Sequence, residues 1–155
     1  MFTQKELVIT SQSQAERLII DGVIRFNGTI KTTCELELNS DICCASLICK
    51  ASVQLLKGNL SCRRIEADNL ITAREINAER VKAKYVICDI INCDTISALS
   101  IETKFLSSTM DVFCYEINAK RLFANNVTTK NMVLENSQIL GKLEMIEPNR
   151  ILKLS

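Results

Sequence analysis

The sequence predicts an all-β fold, a single-stranded β-solenoid (β-helix) of stacked coils built from about five-residue repeats. Three observations carry that reading. The first is spacing: Leu60, Ile65, Leu70, Ile76, Val81, Val86, Ile91, Ile96, Ile101, Leu106, Val112, Ile117, Leu122 and Val127 recur every five residues, with only Leu70 to Ile76 and Leu106 to Val112 stretched to six. The second is the residue two places after each of them: Cys62, Ala67, Thr72, Ala78, Ala83, Cys88, Cys93, Ala98, Thr103, Ser108, Cys114, Ala119, Ala124 and Thr129, all Ala, Cys, Ser or Thr. The third is side-chain shape, since most of the large residues are Ile or Val, whose branching at Cβ suits a pleated surface.

A helix turns about 100° per residue, so positions five apart drift by roughly 140° and share no face. A short strand instead points residues i and i+2 to one side, giving each pentad one large and one small inward side chain. The two remaining positions turn a corner. Coils then stack about 4.8 Å apart and pair backbone groups with the coils above and below. A helix-compatible window at Ala73–Tyr85, dense in Ala, Arg, Glu and Lys, competes locally, but propensity is weak against a sustained period.

Taken in order, residues 1–17 are polar and uneven apart from Leu7, Val8 and Ile9, which reads as an N-terminal tail or cap. The solenoid is expected over residues 18–138. Its opening, Leu18 to Leu38, alternates apolar residues with Gly22 and Gly28 in strand-and-turn fashion. The pentad assembles at Ile42 and Cys44, then Leu47 and Cys49, slips over Ser52–Leu56, and turns at Lys57-Gly58-Asn59. After Val127 it frays, because Leu134 stands where a small residue is expected. Residues 139–155 read as a C-terminal cap or edge strand.

One domain fits 155 residues with an unbroken beat. The net charge of +1, with both signs interleaved, points away from nucleic acid as a partner. Residues 1–20 carry neither the basic flank nor the continuous apolar core of a secretory start, so a cytoplasmic location is expected. There Cys44, Cys49, Cys62, Cys88, Cys93 and Cys114 read as small buried hydrophobes, with Cys93 and Cys114 as candidate neighbours in adjacent coils. Without a His or a C-x2-C pair no metal site is expected. No cofactor and no catalysis are expected either, for the commonest general base is missing and Gly58 and Gly141 stand alone rather than in a phosphate loop. Glu66, Asp68, Glu75 and Glu79 beside Arg64, Arg74 and Arg80 read as a solvated mixed-charge face.

The layout, the size and the opening stretch Leu18–Ile30 (LIIDGVIRFNGTI) resemble the bactofilins, bacterial cytoskeletal proteins with a right-handed β-solenoid core. Met1-Phe2-Thr3-Gln4-Lys5 resembles the membrane-targeting leader of some members. The resemblance implies a non-enzymatic scaffold: nucleotide-free filaments of itself, built by end-to-end contact of solenoids, with association to the inner membrane surface through the N-terminus. Four Gly, a strict five-residue beat and no Pro-rich tails depart from that family. The beat is similar to that of pentapeptide-repeat proteins, although those place the small residue before the large one. That similarity implies the alternative, a module that binds another protein.

These readings single out two sets of residues. Self-association is expected at Ile20, Val23, Ile24 and Phe26 at one end, and at Ile139, Leu140, Met145 and Ile151 at the other. A lateral partner patch is expected from Tyr85, Ile90, Phe105 and Met110. It is contiguous if four pentads close a coil and scatters if three do.

Overall fold

The computed structural model describes residues 5–146 and the backbone of residues 151–153. The leader-like Met1–Gln4 lies outside the described residues. Along the chain run β1 (Glu6–Ile9), α1 (Gln12–Arg17), β2 (Val23–Thr32), β3 (Leu36–Leu38), β4 (Asp41–Cys49), β5 (Val53–Leu55), β6 (Asn59–Ser61), β7 (Arg64–Ala67), β8 (Leu70–Asn77), β9 (Arg80–Lys82), β10 (Tyr85–Ile139), β11 (Leu143–Met145) and β12 (Ile151–Lys153). The paired strands are parallel, and together they form one β-solenoid of about seven turns. The window Ala73–Tyr85 is strand broken by corners at residues 78–79 and 83–84, with no helix in it.

Three pentads close a turn. Tyr85 pairs with Leu70 and Thr95 with Arg80, fifteen residues back in both cases. Earlier coils are longer, because Val23 pairs with Asp41 and Val53 with Ile71, eighteen residues on. The apparent slip at Ser52–Leu56 is therefore a longer corner, with Val53 and Leu55 both pointing into the core. The bore is a triangular stack with three faces, carrying Ile65, Val81 and Ile96 on the first, Ile71, Val86 and Ile101 on the second, and Ile76, Ile91 and Leu106 on the third.

Of the large residues in the beat, Leu70 is the exception to burial. Ile71 and Ala73 are the inward pair of that pentad, so the six-residue step falls between Ile65 and Ile71. Leu70 instead lies at the corner, where its N–H donates to Ser52 Oγ at 3.3 Å.

The small positions have a hydrogen-bonding reason as well as a steric one. Thr103 Oγ1 donates to Phe105 O at 3.1 Å, Cys88 Sγ to Ile90 O at 3.4 Å and Cys114 Sγ to Glu116 O at 2.9 Å. In each case a short side chain reaches the carbonyl two residues on, where the chain turns. Cys93 lies beside Ser108 on the third face and Cys114 on the first, so the expected contact between these two cysteines does not form, a consequence of the fifteen-residue turn.

Burial pushes the thiols of Cys88, Cys93 and Cys114 up to about 12 from an ordinary value of 9.0. The unfolded chain would release these protons first, so the stabilising effect is complete below pH 9.0 and is lost as pH rises toward 12. Thermal melts are expected to fall progressively above pH 9.0, and a Cys88→Ala/Cys93→Ala/Cys114→Ala triple variant to lose part of that slope, the rest staying with Cys49 and Cys62, whose thiols are also raised.

The N-terminal end of the stack is closed by the chain itself on two of its three faces. Strand β1 lies on β2, with Leu7 opposite Ile30. Helix α1 covers the second face: Ser11 Oγ accepts from Gln14 N at 3.2 Å to cap it, and Ala15 is fully buried. The Gln12 side-chain amide then imitates a neighbouring strand, since its Oε1 accepts from Glu37 N at 3.0 Å and its Nε2 donates to Glu37 O. Both backbone groups of an otherwise open edge are satisfied in this way. Gln12→Ala is expected to accelerate amide exchange at Glu37 by at least tenfold while leaving exchange at Ile91 unchanged.

On the third face a tight turn through Asp21 (φ 52°) and Gly22 (φ 76°) lets Ile20 and Val23 exchange two backbone bonds of 2.9 and 3.0 Å.

Candidate functional site

The fifteen-residue turn separates the four residues of the expected lateral patch. Tyr85 precedes the second face, Ile90 and Phe105 precede the third on successive coils, and Met110 lies ahead of Val112 on the first. Tyr85, Phe105 and Met110 are exposed and Ile90 is half-buried. A contiguous patch of all four needs four pentads per coil and does not form.

What the turn does bring together is Ile90 under Phe105, with Arg121 on the coil beyond. The Arg121 guanidinium lies 5.3 Å from the Phe105 ring centroid, a cation–π distance. Phe123 joins them across a surface groove of about 590 Å³, edged by Asn92 and Asn136. Phe123 occupies the outward position between a large and a small inward residue. On the first face Phe113 occupies the same kind of site, and it meets Tyr115 at the following corner edge to face, with centroids 6.0 Å apart. Period-two alternation from Val112 and Leu122 is the signal that places these rings outside.

At the two ends the residues expected to self-associate differ in burial. Ile24 is buried in the bore, Val23 and Phe26 are half-buried, and Ile20 is the most exposed large apolar residue of that end. At the other end Ile139 packs partly on the core, Met145 is half-buried in β11, and Leu140 is exposed. Ile151 opens β12 opposite Met132. Strand β11 continues the first face from Val127–Thr129, and β12 the second from Met132–Leu134. Among the described residues no strand pairs with the outer edge of either.

No group of three His, Cys, Asp or Glu side chains that could hold a metal occurs among the described residues. No helix of the described residues is long and apolar enough to cross a membrane. Comparison with protein-family models, with curated proteins and with solved structures finds no match to this chain.

Proposed function

We propose that this chain is a non-enzymatic structural scaffold that assembles with copies of itself by end-to-end stacking of solenoids, as in bactofilin-like polymers of the cytoplasm. The observation that carries the reading is the asymmetry of the ends. A β-ladder recruits the next strand wherever its outer backbone groups lack partners. The N-terminal end spends Gln12, α1 and the Ile20–Val23 turn on closing two of its three edges. The C-terminal end presents β11 and β12 beside the exposed Leu140.

First contact is therefore between two C-terminal ends, and growth beyond that pair uses the outer edge of β1. Sedimentation velocity and negative-stain microscopy at tens of micromolar test this. Species larger than a monomer are expected, and Leu140→Asp is expected to shift them toward monomer without changing the strand signal in circular dichroism. A monodisperse monomer insensitive to salt would overturn the proposal.

A second reading, a protein-binding module of the pentapeptide-repeat kind, is favoured by the Ile90–Phe105–Arg121–Phe123 groove, which is apolar and exposed on one side. Phe105→Asp separates the two. It abolishes partner capture under the second reading and leaves end-to-end assembly intact under the first.

A further inference from the structure

Eight cysteines are spread along the coils, and in one place two of their sulfurs are in contact. Strands β4 and β6 stack with Ile42 opposite Leu60 and Cys43 opposite Ser61, which sets Cys44 directly beside Cys62 in the next coil. Their sulfurs are 3.2 Å apart. Cys88 and Cys93 occupy equivalent small positions but meet the hydroxyls of Thr103 and Ser108 instead.

In-register parallel strands lie about 4.8 Å apart, inside the Cα separation of roughly 4.4–6.8 Å that disulfides span. The pair can therefore be bridged without moving the backbone far. It is also reachable, because Cys44 lines a surface groove of about 660 Å³ with Phe26 and the exposed Cys43, flanked by Arg25 and Arg63. Two guanidinium groups favour a reagent that carries carboxylates.

We propose that Cys44 and Cys62 are a redox clamp, a dithiol that a small anionic disulfide of the glutathione type oxidises to a disulfide joining two neighbouring coils. Cys44 is the entering thiol. The Cys62 S–H donates to the Cys44 sulfur and holds the Cys44 thiol below its ordinary value, with burial opposing, while the same bond and burial push Cys62 up. The Cys44 thiolate attacks one sulfur of the reagent, forms a mixed disulfide and expels one small thiolate. Cys62 then gives its proton to that thiolate, attacks the Cys44 sulfur and expels the second. Two protein thiols and one small disulfide become one protein disulfide and two small thiols, with two electrons passing to the reagent. Excess dithiol reverses the sequence.

The test treats the native full chain with oxidised glutathione at mildly alkaline pH, alkylates the remaining thiols and maps tryptic peptides. Cys62 is the lone cysteine of the segment Gly58–Arg63, while Cys44 lies in Thr32–Lys50 with Cys34, Cys43 and Cys49. The expected result is loss of two alkylatable thiols and a link between these two segments that survives in Cys43→Ala, Cys34→Ala and Cys49→Ala. Cys44→Ala and Cys62→Ala abolish it. Both are expected to fold, since Ala78 and Ala124 fill equivalent positions on the same face. Melting provides a second readout: oxidation raises Tm, a dithiol returns it, and neither reagent shifts Cys62→Ala. A link that depends on Cys43, or one that forms only in denaturant, overturns the proposal.

Discussion

Val86→Asp is expected to abolish the fold, and Ile87→Asp, one residue on, to leave it intact. Val86 is 0% exposed and stacks directly on Ile71, with other branched side chains above and beside it in the bore. A carboxylate there has no hydrogen-bonding partner and no water. Whether it stays charged or takes a proton, the cost is several kcal/mol, about 5 or more, against a total stability of about 5–15 kcal/mol for a domain. Ile87 points outward and is 43% exposed, so its replacement is worth no more than about 1 kcal/mol. Circular dichroism and thermal melting check the contrast: the first variant loses strand signal at room temperature and the second melts within a few degrees of the parent. Equal behaviour of the two would mean that this pentad does not alternate between bore and solvent.

The same alternation explains which features can be read from the chain and which cannot. The inward character of Val81, Ile91 or Ile117 is local, set by what stands two and five residues away, and it is legible. Leu70 shows the limit, because Leu70 and Ile71 are adjacent apolar residues that satisfy the beat almost equally. Stacking decides between them: Ile71 faces Val53 below and Val86 above, while the Leu70 N–H is used at a corner.

The number of pentads per coil is likewise a property of pairing between residues fifteen apart, and a five-residue period is compatible with three sides or four. The grouping of Tyr85, Ile90, Phe105 and Met110 depended on that number, whereas Phe123 and Arg121 could join the groove only once it was known. Helix α1 did leave a local mark, the Ser11-x-x-Gln14 spacing of a capping box. Gln14 Oε1 does accept from the chain just before the cap, at Thr10 N, 3.0 Å away. Six residues with a single buried Ala were too short for a periodic signal to outweigh their polarity.

Gly58→Ala is expected to be the most damaging conservative change in the molecule. The early coils are longer than fifteen residues, and the corner Lys57-Gly58-Asn59 carries part of the excess directly against the coil before it. A Cβ on Gly58 would lie 1.8 Å from Ser40 O and 2.6 Å from Ser40 C. Both are rigid backbone atoms, so the neighbouring coils must part to admit a single methyl group.

Parting them strains the bonds that fix the register there, Asn59 N to Asp41 Oδ1 at 2.8 Å and Leu56 N to Leu38 O at 2.9 Å. An overpacking cost of about 3 kcal/mol corresponds to a fall in Tm of roughly 6–12 °C for a chain of this size. Gly22→Ala is the control. Gly22 has a φ of 76° with nothing within 4 Å of the added Cβ, so only the conformational cost of about 1–2 kcal/mol applies. If Gly22→Ala lowered Tm as much as Gly58→Ala, the loss would lie in backbone conformation rather than in the spacing of coils. The contrast also bears on assembly, for Gly58 sits far from the C-terminal coil. A Gly58→Ala chain held below its lowered Tm should still sediment as the parent does if the contact between copies is made by β11 and β12.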